Sequence, residues 1–137
     1  MKTLLTSMAA VAFSMVATVA VAQTMTPPTS DPIKRTPLQK TEYPDGHATY
    51  VMMIEVQPNS TIARHTHPGI ETSYVLEGEL ELAIDTKPPQ KFKAGDSFAI
   101  PLNAPHGGKT GPTLVKLIGT YVVDKTKPLA TPAPLSQ

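Results

Sequence analysis

Glu79-Leu80-Glu81-Leu82-Ala83-Ile84-Asp85 is the most regular stretch of the chain. Leu80, Leu82 and Ile84 fall on one side and Glu79, Glu81 and Asp85 on the other, the period of two that a half-buried β-strand requires. Working outward, residues 49–56, 61–67, 71–77, 90–93, 97–100 and 114–123 read as further strands. Turn formers separate them: Pro44-Asp45-Gly46, Pro58-Asn59, Pro68-Gly69, Pro88-Pro89, Ala94-Gly95-Asp96 and Gly111-Pro112. Each supplies a preset or left-handed backbone angle. No long stretch has helical spacing, so the pattern predicts an all-β, antiparallel sandwich or barrel.

Composition bounds what such a barrel can do. The 137 residues suit one domain, since a second core would be too small to bury its own surface. Twelve basic residues against eleven acidic ones give a net charge of +1, with no broad positive face for phosphates, so a nucleic-acid partner is not expected. Residues 1–22 differ from the rest: Lys2 is their only charge, an apolar run follows, and Ala20-Val21-Ala22 has the small-x-small form that a signal peptidase accepts. We expect a signal peptide over 1–22, cleavage before Gln23, and a periplasmic or secreted product without stable membrane association. The chain has no Cys, which removes disulfides, lipid attachment and thiolate ligands together. Pro-rich residues 23–37 and 128–137 read as tails, leaving 38–127 as the barrel.

Three of the four His residues lie in two short, turn-flanked segments. In His65-Thr66-His67-Pro68-Gly69-Ile70-Glu71 the two imidazoles are two apart and face one side of an extended chain. Pro68-Gly69 then turns the backbone, so that Glu71 returns its carboxylate to the same space. In Gly95-Asp96-Ser97-Phe98-Ala99-Ile100-Pro101-Leu102-Asn103-Ala104-Pro105-His106 a strand ends at Pro101 and His106 opens the next, in position to add a fourth ligand.

These segments resemble the two motifs of the cupin superfamily. Asn59-x5-His65-x-His67-x3-Glu71-x6-Gly78 keeps every ligand position and the closing Gly of the first motif. Gly95-x5-Pro101-x-Asn103-x2-His106-x3-Thr110 keeps Gly95, Pro101 and His106 of the second. Asn59 and Asn103 stand where the pattern has Gly, and Asn is the side chain that best tolerates left-handed angles. Thr110 stands where it has Asn, which puts local hydrogen bonding in question rather than the ligand set. The resemblance implies a small jelly-roll barrel, an antiparallel double-stranded β-helix, with a metal in its mouth.

Three imidazoles and a carboxylate, His65, His67, His106 and Glu71, suit a divalent transition metal such as Mn, Fe, Co, Ni, Cu or Zn, and leave positions open on an octahedral ion. By the resemblance, the chain is expected to be an exported metal-dependent enzyme, of oxidoreductase or dioxygenase type, acting on a small oxygen-rich organic molecule. The alternative is a non-catalytic module that binds a small molecule or metal. No second ionisable group near the motifs stands out as a general base, so Glu71 or a metal-bound hydroxide would serve.

Alternation also assigns the neighbours. Ala63, Ser73 and Val75 should line the site, and Tyr50, Met52, Met53, Phe92, Phe98 and Tyr121 should belong to the core. Arg64 should point outward, pairing with Glu55, and His47 should be a solvated loop residue. An edge strand exposing Tyr50 or Val122 would support a homodimer.

Overall fold

A computed structural model describes residues 31–134. The expected signal peptide and most of the expected N-terminal tail lie outside these residues. Two five-stranded antiparallel sheets face each other. The first has the order β1-β2-β9-β4-β7, built from Ile33–Glu42 (β1), His47–Val56 (β2), Val115–Asp124 (β9), Gly69–Glu77 (β4) and Ser97–Ile100 (β7). The second has the order β10-β3-β8-β5-β6, built from Thr131–Pro132 (β10), Thr61–Thr66 (β3), His106–Thr110 (β8), Glu79–Ile84 (β5) and Gln90–Lys93 (β6). This is the expected all-β jelly roll.

The alternation that opened the sequence reading sets which side of each strand is inside. Leu80 and Leu82 of β5 are buried while Glu79 is exposed. Along β9 every second residue from Val115 to Val123 is buried, and β4 does the same from Gly69 to Val75. Val56, Val75, Leu80, Ile100, Val115 and Val123 are the largest side chains fully withdrawn from water. Each contributes about 1.5–3 kcal/mol of burial.

The Asn substitutions keep their turns, with φ of 52° at Asn59 and 56° at Asn103. Thr110 replaces the side-chain amide with one hydroxyl that works twice. Its Oγ1 donates to the Gln57 carbonyl at 2.7 Å and accepts from the Ser60 N–H at 2.9 Å. Gly78 sits at φ +79° with its α-carbon against the Leu114 carbonyl, where an added Cβ would be 2.3 Å from that oxygen, so the closing glycine has a steric reason.

Four expectations need correction. The barrel starts before Leu38, because Ile33 to Pro37 already belong to β1 and pair with β2. Their single buried side chain, Ile33, gave alternation too little apolar signal to detect. Beyond Lys127, Leu129 packs on the core and Thr131–Pro132 forms β10, so the C-terminal stretch is part of the barrel wall. Tyr50 and Val122 lie on no edge, since β2 and β9 are interior strands. Tyr50 packs against the core, whereas Val122 is exposed on the outer sheet face beside its register partner Ile70. Finally, Arg64 pairs with Asp85 rather than Glu55, which instead takes Lys34 at 3.1 Å. His47 is exposed, as expected, and meets Asp45 at 3.1 Å.

Candidate metal centre

The four expected ligands come from both sheets. His65 is the penultimate residue of β3 and stands opposite His106, the first residue of β8. His67 lies in the turn after β3, and Glu71 follows on β4, opposite Tyr121 of β9. The imidazole rings converge: centroids are 4.8 Å apart for His65 and His67, 4.2 Å for His65 and His106, and 5.1 Å for His67 and His106. One ring nitrogen from each lies within 4.8 Å of the others. Ligand atoms about 2.0–2.2 Å from a common ion lie at most about 4.4 Å apart, so the triad needs only slight contraction to share one.

The close packing of β4 on β9 rests on Gly69. An added Cβ there would be 2.0 Å from the Val122 carbonyl oxygen and 2.6 Å from the Val123 α-carbon. Glycine lets β4 begin flush against β9, two residues after His67 and two before Glu71. The second motif is tied to the first by the Asn103 N–H, which donates to the His67 carbonyl at 3.1 Å.

Hydrogen bonds define the tautomers. The Nδ1 of His65 faces the Ala63 carbonyl at 2.7 Å, that of His67 the Leu129 carbonyl at 2.6 Å, and that of His106 the Ala104 carbonyl at 2.9 Å. A carbonyl only accepts, so all three Nδ1 atoms carry hydrogen and donate. In a neutral ring the lone pair is then on Nε2. Backbone carbonyls that fix a ring in this way are the usual outer support of a metal-bound histidine.

The Nε2 of His67 is buried, lacks a hydrogen-bond partner of the complementary kind, and lies 3.0 Å from Glu71 Oε2. His106 Nε2 approaches the same oxygen at 3.5 Å. A lone pair facing a carboxylate at 3.0 Å repels it, and a cation between them turns the contact into attraction. A proton or a metal ion can supply that cation. A divalent ion serves all the ligands at once, and this orphaned nitrogen is the observation that fits the residues to a metal.

Ser73 holds the other side of the carboxylate, its Oγ donating to Glu71 Oε1 at 2.7 Å. Burial works against the Glu71 charge, but the His106 and His67 contacts and the Ser73 hydroxyl outweigh it and hold the carboxyl down at about 2, from an ordinary 4.5. Burial, reinforced by the neighbouring His106 and His67 rings, lowers His65 below its ordinary 6.5, and the Ala63 carbonyl offsets only part of this.

Both shifts have the same consequence for stability. The unfolded chain takes up protons at His65 and Glu71 at higher pH than the folded chain does, so acid favours unfolding. The melting temperature of the metal-free protein should therefore fall as pH drops below 6.5, and fall further below 4.5 as Glu71 protonates in the unfolded state. Thermal melts between about pH 7 and about pH 3 check this, and a flat or rising profile would contradict it.

The site opens into a cavity of about 660 Å³ between the sheets, lined by Met52, Ile54, Leu82, Phe98 and Leu117 among others. Ser73 and Val75 are buried as expected, whereas Ala63 is an exposed residue on the cavity wall. Met52, Phe98 and Tyr121, expected as core, also line this cavity, while Phe92 packs on Phe98. Tyr121 is the site residue that the sequence reading missed: its ring stands edge-on to His67 at 4.9 Å. Burial, then the Glu71 charge, pushes its phenol far above the usual range, so it remains a protonated donor. Its position opposite Glu71 was the available signal, but one that needs the register of β4 on β9.

A small jelly-roll barrel with a His triad and a carboxylate at its open end defines a class, and comparison points to the family. Residues 52–117 match the cupin domain family, which supports a cupin-superfamily domain in this chain. No curated protein sequence matches it. Among solved structures, an uncharacterized double-stranded β-helix protein from Klebsiella pneumoniae is similar at 24% identity and TM-score 0.62, covering 79% of this chain and 90% of that one. The polyketide cyclase RemF from Streptomyces resistomycificus is similar at 26% identity and TM-score 0.60, covering 78% and 75%. The DMSP lyase DddQ from Ruegeria pomeroyi is similar at 24% identity and TM-score 0.61, covering 72% of this chain. This chain spans 50% of DddQ and 63% of the Schizosaccharomyces pombe Cnp3 cupin domain chain, which is also similar.

Proposed function

We propose that the protein is an exported, metal-dependent enzyme that acts on a small oxygen-rich organic molecule. The observation that carries this reading is the buried, lone-pair-bearing Nε2 of His67, which faces Glu71 beside the other two imidazoles at the end of a sizeable cavity. His65, His67, His106 and Glu71 would hold the ion. The metal supplies Lewis acidity or redox chemistry, in line with the expected oxidoreductase or dioxygenase type, with Mn, Fe, Co, Ni, Cu and Zn as candidates.

The chain's own residues supply the rest. Apolar walls exclude water and strengthen every polar contact made inside. The Tyr121 hydroxyl, kept protonated, can donate to an oxygen of the substrate. Glu71, fixed through Oε1 by Ser73, is the carboxylate placed to orient or move a proton at Oε2. Arg35 lines the cavity, with its carboxylate neighbour Asp31 3.8 Å away, and offers a positive group to an acidic substrate. RemF and DddQ, whose names describe catalysts of small-molecule reactions, support an enzyme over a passive barrel.

The test is to load the purified protein with each candidate metal and follow phenolic, enediol and dicarboxylic acid substrates by oxygen uptake and mass spectrometry. Metal-dependent turnover of one of them is the expected result. Binding of a panel member without turnover would favour the non-catalytic module. Export is tested by N-terminal sequencing of the mature protein, which should begin at Gln23.

A further inference from the structure

We propose that the C-terminal segment from Leu129 to Pro134 is a working part of the metal centre: a strap that sets the tautomer of His67 and forms one wall of the cavity. This inference rests on the metal reading above. The Leu129 carbonyl accepts from His67 Nδ1 at 2.6 Å, across 62 residues of sequence. His65 finds its Nδ1 acceptor two residues back on its own strand and His106 two residues back in the turn before β8, so His67 alone of the three depends on a distant segment.

The strap is fastened on both sides of that contact. The Leu129 side chain packs on the core before it, and Leu129, Ala130 and Pro132 line the cavity. After it, Thr131 and Pro132 pair with Thr66 and His65 of β3. The Ala133 N–H donates to the Arg64 carbonyl at 3.1 Å, and Arg64 Nε donates to the Pro134 carbonyl at 2.6 Å. Arg64 is in turn held by Asp85. Arg64 thus grips the strap through its backbone and its side chain, one residue from the ligand His65.

The physical consequence follows from the shared proton. While the Leu129 carbonyl takes the Nδ1 hydrogen, Nε2 presents its lone pair to the site. If the strap leaves, the ring is free to rotate and to carry hydrogen on Nε2, and metal binding must then re-order it. Outer contacts of this kind are worth about 10–100-fold in metal affinity.

Two full-length variants loosen the strap without touching a ligand. Arg64→Met removes the grip on Pro134, and Ala133→Pro removes the N–H that bonds Arg64. Arg64→Lys, which can still reach the Pro134 carbonyl, is the rescue. The probe is Zn²⁺ or Mn²⁺ alone, its affinity read by competition with a chelator, beside melts of the metal-free proteins. Both loosening variants should bind metal about 10-fold or more weakly, with Arg64→Lys recovering most of the loss. Metal-free melts should change far less than the metal-induced rise in melting temperature. Affinities within about twofold of the parent in both variants would overturn the strap while leaving the metal site standing. Failure of the parent itself to bind either ion would refute the metal reading instead.

Discussion

Replacing His106 with Ala should abolish most of the metal affinity of this protein and leave the barrel folded. His106 opens β8 opposite His65 and brings its Nε2 to 3.5 Å from Glu71 Oε2, so its loss takes one corner from the ligand set. A directly coordinating imidazole counts for more than an outer contact, so the loss should exceed about 100-fold. The effect reappears in stability. An ion held only by the folded state adds about 2.7 kcal/mol at a hundredfold excess over its dissociation constant, and the variant should lose that increment. His47→Ala is the matched control. His47 is exposed, meets only Asp45 near its turn, and should change neither quantity. Equal metal affinity in His106→Ala and the parent would remove His106 from the site.

The second large effect belongs to a residue with no side chain. Gly69→Ala would press a methyl carbon to 2.0 Å from the Val122 carbonyl oxygen and 2.6 Å from the Val123 α-carbon, both rigid backbone of β9. Neither atom can swing aside as a side-chain tip would. Relief requires β4 to move off β9, which also carries Glu71 away from its register partner Tyr121 and disturbs its place beside the imidazoles. We expect a loss of about 3 kcal/mol or more, at the upper end of overpacking costs, and a melting temperature lower by about 10 °C or more. Metal affinity should fall with it. Gly111→Ala, where an added carbon meets nothing within 4 Å, should change stability by less than about 0.5 kcal/mol. Equal melting temperatures for the two variants would show that β4 and β9 are not packed as described.

Much of this arrangement is legible in the sequence, for reasons that can be named. Strands with one wet and one dry face announce themselves, which is why Leu80, Leu82 and the alternate residues of β9 are readable in advance. The convergence of the candidate ligands is readable because His65, His67 and Glu71 sit around one turn and His106 opens a strand, spacings that local geometry brings together. What escaped the reading depends on contacts between distant segments. β1 shows too little apolar alternation at Ile33 to Pro37, because only Ile33 among them is buried. The strap looks like a tail because its work is done by backbone groups of Leu129, Ala133 and Pro134, and no side-chain pattern records a carbonyl that accepts from a histidine. Tyr121 looks like core because its part in the site follows from its register with Glu71 and its ring against His67. Arg64 shows the same limit: alternation aims it outward, but the topology places Asp85 of the β5–β6 turn, rather than Glu55 of the other sheet, within reach.

The claim on which all of this depends is that His65, His67, His106 and Glu71 hold one metal ion. The direct measurement is elemental analysis of protein purified from the cells that make it, followed by equilibrium dialysis of the stripped protein against Mn, Fe, Co, Ni, Cu and Zn. The account predicts one transition-metal ion per chain in the parent and a small fraction of that in a variant with all three histidines replaced by Ala. Metal content that is negligible for every ion, or equal in the parent and the triple variant, would contradict it.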